Sequence, residues 1–217
     1  PVKVLDAQGH GSLQAVAAGI YWATDRGARV INLSLALPPS VTWSSVLHDA
    51  VAYAAAHDVV LVAAAGNDAA GTVSLPAAFN EVIAVGAIQS AGGRAAYSNT
   101  GQALDLVAPG GDGIDRDGDG LVDGVLALSY DPATDADGIF LGAGSSQAAA
   151  HASAAAALLL SLGETGRDRI RTLLELSSRP LAGEAPGTWT VESGYGAVDP
   201  AQAIAARARA ETVNERR

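Results

Sequence analysis

The sequence predicts an α/β fold, a three-layer sandwich in which a mainly parallel sheet lies between layers of helices. Apolar, strand-like segments alternate with helical segments along most of the chain, which is the pattern of βαβ units. Segment 59–65 is apolar without interruption, as expected for a strand buried on both faces. The 217 residues, 49% of them apolar, suffice for one domain with a substantial core.

The first half of the chain contains the clearest alternation. A short strand is expected at 2–5, followed by a helix over 12–28, where apolar residues recur with a helical period. A strand at 30–36 opens on β-branched residues, which favour extended backbone. The helix over 41–57 follows two prolines and a serine, and the strand at 59–65 comes next.

The second half begins with apolar strands at 82–88 and 104–107, and segments 125–130 and 138–141 are predicted to pair with each other. The remaining elements are helices at 147–162 and 167–177, a short strand at 189–192 and a helix at 200–217 with a charged end. No linker or internal repeat divides the chain. We therefore expect a single domain over residues 1–217 with an acidic insertion at about 111–137.

Composition excludes several classes of partner. The net charge of −10 leaves no basic stripe for phosphate contacts, so neither a nucleic acid nor an anionic membrane surface is expected to bind. The apolar run at 152–162 is shorter than the ~20 residues that span a bilayer. The absence of cysteine excludes disulfides and cysteine-based zinc sites.

A serine opens the most apolar helix of the chain. Segment 148–162 is apolar nearly all round, so we expect this helix to be buried. Ser146 would then lie at the positive end of a buried helix, beside unpaired N–H groups that can stabilise an oxyanion. The alternative is that the serine only caps the helix, as serine often does.

Two further strand ends belong to the same rim, because the carboxyl ends of parallel strands lie together. Asn67 follows the buried strand 59–65 and offers an amide donor, or else is a common turn asparagine. Segment 34–36 ends another strand and either pairs with an extended peptide or is plain β structure. A hydroxyl, an amide donor and a helix N-terminus are the components of an acyl-transfer site.

The order of these motifs resembles the subtilase family, the subtilisin-like serine peptidases. The matching segments are 2–5, 19–23, 30–35, 62–67, 82–87, 97–101, 108–110 and 144–146. The resemblance covers nearly the whole chain and implies a subtilisin-like fold that lacks its N-terminal portion. It also implies a serine endopeptidase, an extended polypeptide substrate and a secreted or extracytoplasmic location.

The resemblance implies a role for each matching residue. Ser146 would be the nucleophile, and Asn67 and the Ser146 N–H would bind the oxyanion. The implied substrate-binding residues are Ser34, Leu35 and Ala36 on one pocket wall, Ala63, Ala64 and Gly66 on the other, and Gly9, His10 and Gly11 on the opposing edge. The peptide would then be the middle strand of a three-stranded ladder.

The departures from the family pattern concern the base. The family needs an Asp and a His before the Ser, in segments that precede Val2, so we expect an N-terminal segment of the same domain to carry both. Alone, the chain is expected to be inactive. His10, in a Gly-His-Gly motif, is a rival base, but the surrounding segments fit the substrate edge better.

The serine motif itself differs from the family at three places. Gln147, Ala150 and Ala154 replace the usual Met, Pro and Gly. Without the proline we expect a straighter helix and a shifted Ser146 hydroxyl. His151 lies one turn after Ser146 on the same helix, where it is expected to be structural.

A separate acidic motif predicts calcium. Asp115, Asp117 and Asp119 occupy alternate positions, and Asp123 follows three residues after Gly120. The Leu121 carbonyl would be a backbone ligand. The twelfth residue of the loop is a leucine rather than a glutamate, so this is not an EF-hand. The alternative is a solvated acidic turn.

Three functions therefore stay open from sequence: a serine endopeptidase domain, a non-catalytic peptide-binding pseudo-peptidase and a calcium-dependent structural module. If the N-terminal segment is absent, apolar surface is left uncovered, and self-association is then possible.

Overall fold

The computed structural model describes residues 1–116, 118–131 and 134–214, and it confirms the α/β architecture. Along the described residues the helices and strands are, in order, α1 Leu13–Asp25, β1 Val30–Leu33, α2 Ser45–Ala56, β2 Val60–Ala64, β3 Val82–Ile88, β4 Leu106–Pro109, β5 Val125–Asp131, β6 Ala136–Gly142, α3 Ser145–Ser161, α4 Arg167–Leu176 and α5 Pro200–Asn214.

Four strands form the central parallel sheet, in the order β1-β2-β3-β4. The register pairs Leu33 with Ala63 and Ala64 with Val85, so β1 and β2 end at the same rim. Segments 34–36 and 65–67 therefore leave the sheet side by side, as the strand order predicts.

Helices cover the two faces of this sheet. On one face, α3, α4 and α5 pack on side chains such as Val60 and Val62 of β2. On the other face, α1 and α2 pack on the alternating residues Leu61 and Ala63. The three layers confirm the predicted sandwich, and the uninterrupted apolar run of β2 is explained by burial on both faces.

Helix α3 crosses all four strands of the parallel sheet, but the expectation that it is buried all round is wrong on one side. Ala148, Ala152 and Leu159 are buried, whereas an opposite stripe is exposed. The exposed stripe consists of Ala150, His151, Ala154, Ala157 and Leu158. No element of the described chain covers that stripe, which is apolar except for His151.

Two predicted strands are absent from the described residues. Segment 2–5 has no strand partner, and its valines pack instead on Gly19 of α1. Segment 189–192 is a turn, closed by the isolated bridge between Thr190 and Gly194. A strand needs a neighbour for its backbone hydrogen bonds, which an apolar pattern by itself does not guarantee.

The predicted strand pair is confirmed. β5 and β6 form a separate two-stranded antiparallel sheet, with Leu126 opposite Leu141 and Leu128 opposite Ile139. β6 leads within three residues to the start of α3. None of the described helices combines the length and the apolar character that crossing a bilayer requires.

Candidate active site

The loop after β2 is shaped by a glycine and a buried asparagine. Gly66 has a φ of 110°, and a Cβ at this position would overlap the Asn99 side chain. Asn99 is fully buried, accepts hydrogen bonds from the N–H groups of Asp68 and Ala70 at 2.9 and 3.0 Å, and donates to the Ala65 carbonyl. This side chain fixes the turn that carries Asn67 to the rim.

The Asn67 carboxamide is oriented by the start of α3. Its Oδ1 accepts hydrogen bonds from the Ser145 N–H at 2.9 Å and from the Ser145 hydroxyl at 2.8 Å. Asn67 is exposed, and its Nδ2 has no acceptor among the described residues. The carboxamide therefore presents an unused donor.

Ser146 does not cap its helix. The N-cap position is Gly144, α3 has no side-chain cap, and Ser146 is the second helical residue. Its backbone N–H has no acceptor within the described parts of the chain, as expected for the first turn of a helix. Its hydroxyl donates only a long hydrogen bond, of 3.4 Å, to the Ser34 carbonyl. The capping alternative is therefore wrong for Ser146.

A chain of polar side chains joins β1 to α3. The Ser153 hydroxyl donates to Asn32 Oδ1 at 2.9 Å, and Asn32 Nδ2 donates to the Ser34 hydroxyl at 2.8 Å. That hydroxyl in turn donates to the carbonyl of Ser146 at 2.9 Å. Sequence reasoning missed Asn32 and Ser153, because their partners lie more than one hundred residues apart along the chain.

Further hydrogen bonds hold the residue that precedes α3 against the end of β4. The Gly144 N–H donates to the Gly110 carbonyl at 2.9 Å. The Tyr97 hydroxyl donates to the carbonyls of Gly110 and Gly111 at 3.0 and 2.5 Å. Burial raises the pKa of the Tyr97 phenol to about 12, so this donor keeps its proton across the physiological range.

The predicted site residues surround one cleft of about 550 Å³. Ser146 and Asn67 line it together, and so do eight of the nine predicted substrate-binding residues. These are Gly9, His10, Gly11, Ser34, Leu35, Ala36, Ala64 and Gly66. Ala63 departs from the expectation: it is fully buried and faces α1 and α2 behind the cleft, since alternate strand residues point to opposite faces.

No general base contacts the serine within the described residues. His10 is exposed beside the cleft, and its backbone N–H is bound by the Asp6 carboxylate at 2.8 Å. His151 is exposed, and its Nδ1 lies 2.9 Å from the Gln147 carbonyl in its own helix. Neither imidazole forms a hydrogen bond with the Ser146 hydroxyl.

Gln147, which departs from the family pattern, is poorly satisfied. Its Oε1 is buried and has no hydrogen-bond partner in the described structure. The side chain lies against Gly142 and Gly144, the backbone that precedes the nucleophile motif. A buried amide oxygen without a donor is destabilising, so Gln147 costs stability at this position.

The acidic loop is folded on its own backbone. Asp115 accepts hydrogen bonds from the N–H groups of Gly118 and Gly120 at 2.7 and 3.0 Å, and Asp119 accepts one from Leu121 at 2.8 Å. Asp123 accepts from the Ser90 hydroxyl at 3.0 Å.

The predicted metal ligands are only partly covered by the structure. Asp117 lies outside the described residues. Among the described residues, no three or more metal-ligating side chains come together, and a ligand set that includes Asp117 is not tested by the structure. The calcium site stays a prediction.

Comparison with known proteins identifies the family to which this chain belongs. The model of the subtilase family matches residues 1–197. The chain therefore belongs to the subtilase family, as the sequence motifs indicate.

Particular relatives agree with this assignment. Subtilisin Savinase from Lederbergia lenta is 46% identical over 110 residues, which are 50% of this chain and 39% of the relative. A thermophilic serine proteinase from Bacillus sp. (strain AK1) is 36% identical over 182 residues, covering 84% of this chain and 40% of the relative. The chain thus spans about two fifths of the length of these relatives.

Solved structures give the same fold. A protease from Pseudoalteromonas arctica PAMC 21717 superposes with a TM-score of 0.82 at 33% identity, covering 95% of this chain and 62% of that one. A lanthipeptide protease superposes with a TM-score of 0.76 at 26% identity.

Proposed function

We propose that this chain is the nucleophile-bearing part of a serine endopeptidase that cleaves peptide bonds through an acyl-enzyme on Ser146. One observation carries the proposal. At a single cleft, the described structure leaves a serine hydroxyl that caps nothing, the free N–H of Ser146 and the free Nδ2 of Asn67. These are a nucleophile and two oxyanion donors.

The chemistry follows from these groups. The Ser146 hydroxyl would attack the scissile carbonyl, and its oxygen would become negative as the tetrahedral intermediate forms. The Ser146 N–H and Asn67 Nδ2 would bind that oxyanion, where the loss of one donor typically costs about 3–4 kcal/mol of transition-state stabilisation. The substrate backbone would lie extended between segments 34–36 and 9–11, which border the cleft.

The general base is proposed to come from an N-terminal segment that carries the Asp and the His. Two features support this. The parallel sheet ends at β1, whose outer edge is free of strand partners in the described chain, and the neighbouring stripe of α3 is exposed. The end of β1 lies next to Ser146, whose carbonyl accepts a hydrogen bond from Ser34, and the stripe begins one turn after Ser146 on the same helix. The chain alone is expected to be inactive.

The test is labelling by a fluorophosphonate, which reacts only with an activated serine. We expect labelling of the full-length polypeptide that includes the proposed segment, no labelling of the Ser146→Ala variant, and labelling about 10²–10³ times slower in Asn67→Ala. Absence of labelling in the full-length protein would overturn the peptidase and favour the peptide-binding pseudo-peptidase.

Calcium binding by the loop around Asp115–Asp123 is proposed as a structural addition. The alternating carboxylates and the positive φ of Gly118 and Gly120 support it. A bound ion stabilises the folded state alone, so chelation should lower the melting temperature. Equal melting temperatures in millimolar calcium and in EGTA would leave the solvated acidic turn as the explanation.

A secreted or extracytoplasmic location is proposed from the family alone. The similarity to bacterial subtilisins supports it. Recovery of the protein from the culture medium of its natural host would test this, and its confinement to the cytoplasm would contradict it.

A further inference from the structure

The β5–β6 hairpin presents an apolar face to solvent. In an antiparallel pair, residues directly opposite share a face, so Leu126, Leu141, Leu128 and Ile139 lie on one side of the hairpin. Leu128 is 86% exposed, and Leu126 and Ile139 are each 66% exposed. Tyr130 extends the same face and is also exposed. This set of five side chains is called here the hairpin face.

The hairpin face is an exposed apolar surface on a sheet of only two strands. An isolated hairpin is marginally stable in water, and contiguous exposed apolar side chains mark interaction sites. The function proposed above does not use these residues, because they do not line the cleft. The hairpin nevertheless connects to it directly, since β6 ends at Gly142 and α3 begins at Ser145.

The size of the hairpin face decides between occupants. Strands of seven residues are about 24 Å long, and two strands are about 10 Å wide, which gives roughly 240 Å². A stable protein interface needs about 800 Å² on each partner. A stable interface between two copies would therefore need further surface outside this face, whereas an extended peptide of about seven residues matches its length.

Charge decides the chemistry of that peptide. Segment 111–142 contains eight Asp and one Arg, so it carries most of the net charge of −10. Described carboxylates lie at the Tyr130 end of the hairpin face. Asp137 lies directly opposite Tyr130, and Asp135 accepts a hydrogen bond from the Tyr130 hydroxyl at 2.5 Å. The surroundings of the hairpin face therefore attract cations and repel acidic chains.

We propose that the hairpin face is a docking surface for an apolar, positively charged segment of the extended polypeptide substrate, outside the cleft that contains Ser146. Apolar side chains of the segment would lie on the aliphatic ladder, and its Lys or Arg residues would reach the flanking aspartates. The substrate role of the bound segment rests on the proposed peptidase function. The recognition itself needs only the hairpin.

The test is binding of synthetic peptides to the chain with Ser146→Ala, so that cleavage cannot interfere. Fluorescence anisotropy would compare the labelled peptides KVKVKVKV, EVEVEVEV and KSKSKSKS at 150 mM salt. The first alternates cationic and apolar residues, and each of the others removes one of these properties. We expect the first to bind at least ten times more tightly than either control. Equal affinity for all three peptides would overturn the proposal.

Variants locate the binding surface. Leu128→Ser with Ile139→Ser should weaken binding of KVKVKVKV at least tenfold. Leu176→Ser, at a 78% exposed leucine at the end of α4, removes a similar apolar surface elsewhere and should change nothing. Both are surface substitutions, so circular dichroism should show an unchanged fold. Unweakened binding by the double variant would overturn the proposal. The proposal would also fail if light scattering showed that the chain with an intact hairpin face is a dimer and that the double variant is a monomer.

The outcomes separate this inference from the peptidase function. Labelling of Ser146 together with failed peptide discrimination removes the docking surface and leaves the peptidase intact. Peptide discrimination that depends on Leu128 and Ile139, without any labelling of Ser146, supports the docking surface and overturns the peptidase.

Discussion

Ser146 is held from two directions by groups that leave its reactive atoms free. Asn67 Oδ1 is occupied by Ser145, which turns the Nδ2 donor outward. The hydrogen bonds from Ser153 through Asn32 and Ser34 to the Ser146 carbonyl fix the first turn of α3 against β1. Carbonyl and amide contacts orient this residue, while the Ser146 N–H has no acceptor among the described residues and its hydroxyl makes only a 3.4 Å hydrogen bond.

A matched pair of serines on α3 tests this positioning. Ser153→Ala removes the first donor of the chain, so Asn32 can rotate and Ser34 loses its alignment. Misplacement of a nucleophile by about 1 Å can cost about 100-fold, so we expect Ser146 labelling in the full-length protein to slow at least tenfold. Ser161→Ala removes only a local bond to Leu158 and is expected to leave the rate unchanged. Equal rates in the two variants would contradict a positioning role for Ser153.

Helix α3 is rich in alanine and leucine on both its buried and its exposed side. The sheet covers the side that bears Leu159 and Ala152, while the side that bears Leu158 and Ala154 meets solvent. The stripe is rich in alanine, and the helix continues to its end without a break. Such a surface matches the expected contact with further polypeptide chain, whether an N-terminal segment or a second copy.

Substitution of the adjacent residues Leu158 and Leu159 tests which side of α3 is buried. Leu159 is 1% exposed, so Leu159→Ala should lower the free energy of unfolding by about 2–5 kcal/mol. Leu158 is 41% exposed, and Leu158→Ala should cost less than about 1 kcal/mol. Urea denaturation of the 217-residue chain measures both. Similar losses at the two positions, with a concentration-dependent midpoint, would show that self-association buries the stripe.

At the scale of the whole molecule, an ion network ties the sheet to α4. Arg171 binds Asp105 and donates to Glu175 at 2.8 Å and to the Asn80 carbonyl at 2.6 Å. Asp105 also accepts the Ala84 N–H of β3 at 2.7 Å. Burial raises the pKa of Asp105 and of Glu175 above their ordinary values, against the opposing effect of Arg171.

These shifts have a defined effect on stability. Because the pKa of Glu175 is raised in the folded protein, this carboxyl binds more protons there than in the unfolded chain at pH values above its ordinary pKa of about 4.5. The contribution of Glu175 is therefore largest below that pH and is lost as pH rises through the folded pKa. Glu175→Gln removes the titration, so the stability of the wild type relative to this variant should be greater at pH 4.5 than at pH 7. Chemical denaturation at the two pH values measures this, and the opposite order would contradict the raised pKa.

The sequence by itself determined the fold class, most elements and the position of two candidate site residues, Ser146 and Asn67, at one cleft. Segment 82–88 was predicted with the bounds that β3 has, and the apolar run of β2 indicated burial on both faces. These features depend on local periodicity and turn chemistry, which are visible in a short window of residues. The order of motifs placed Ser146 and Asn67 at one rim, because parallel strands end together.

Only the tertiary structure decided which residues complete that rim and which surfaces lack a cover. It joined Asn32 and Ser153 to Ser146, placed Ala63 behind the cleft, left segment 2–5 without a strand partner and exposed one stripe of α3. It also set the aliphatic ladder of β5 and β6 in solvent. Each of these depends on a contact, or the lack of one, between segments far apart in the chain. A local sequence pattern indicates which residues of a segment favour burial. Whether another segment packs against them depends on the tertiary fold.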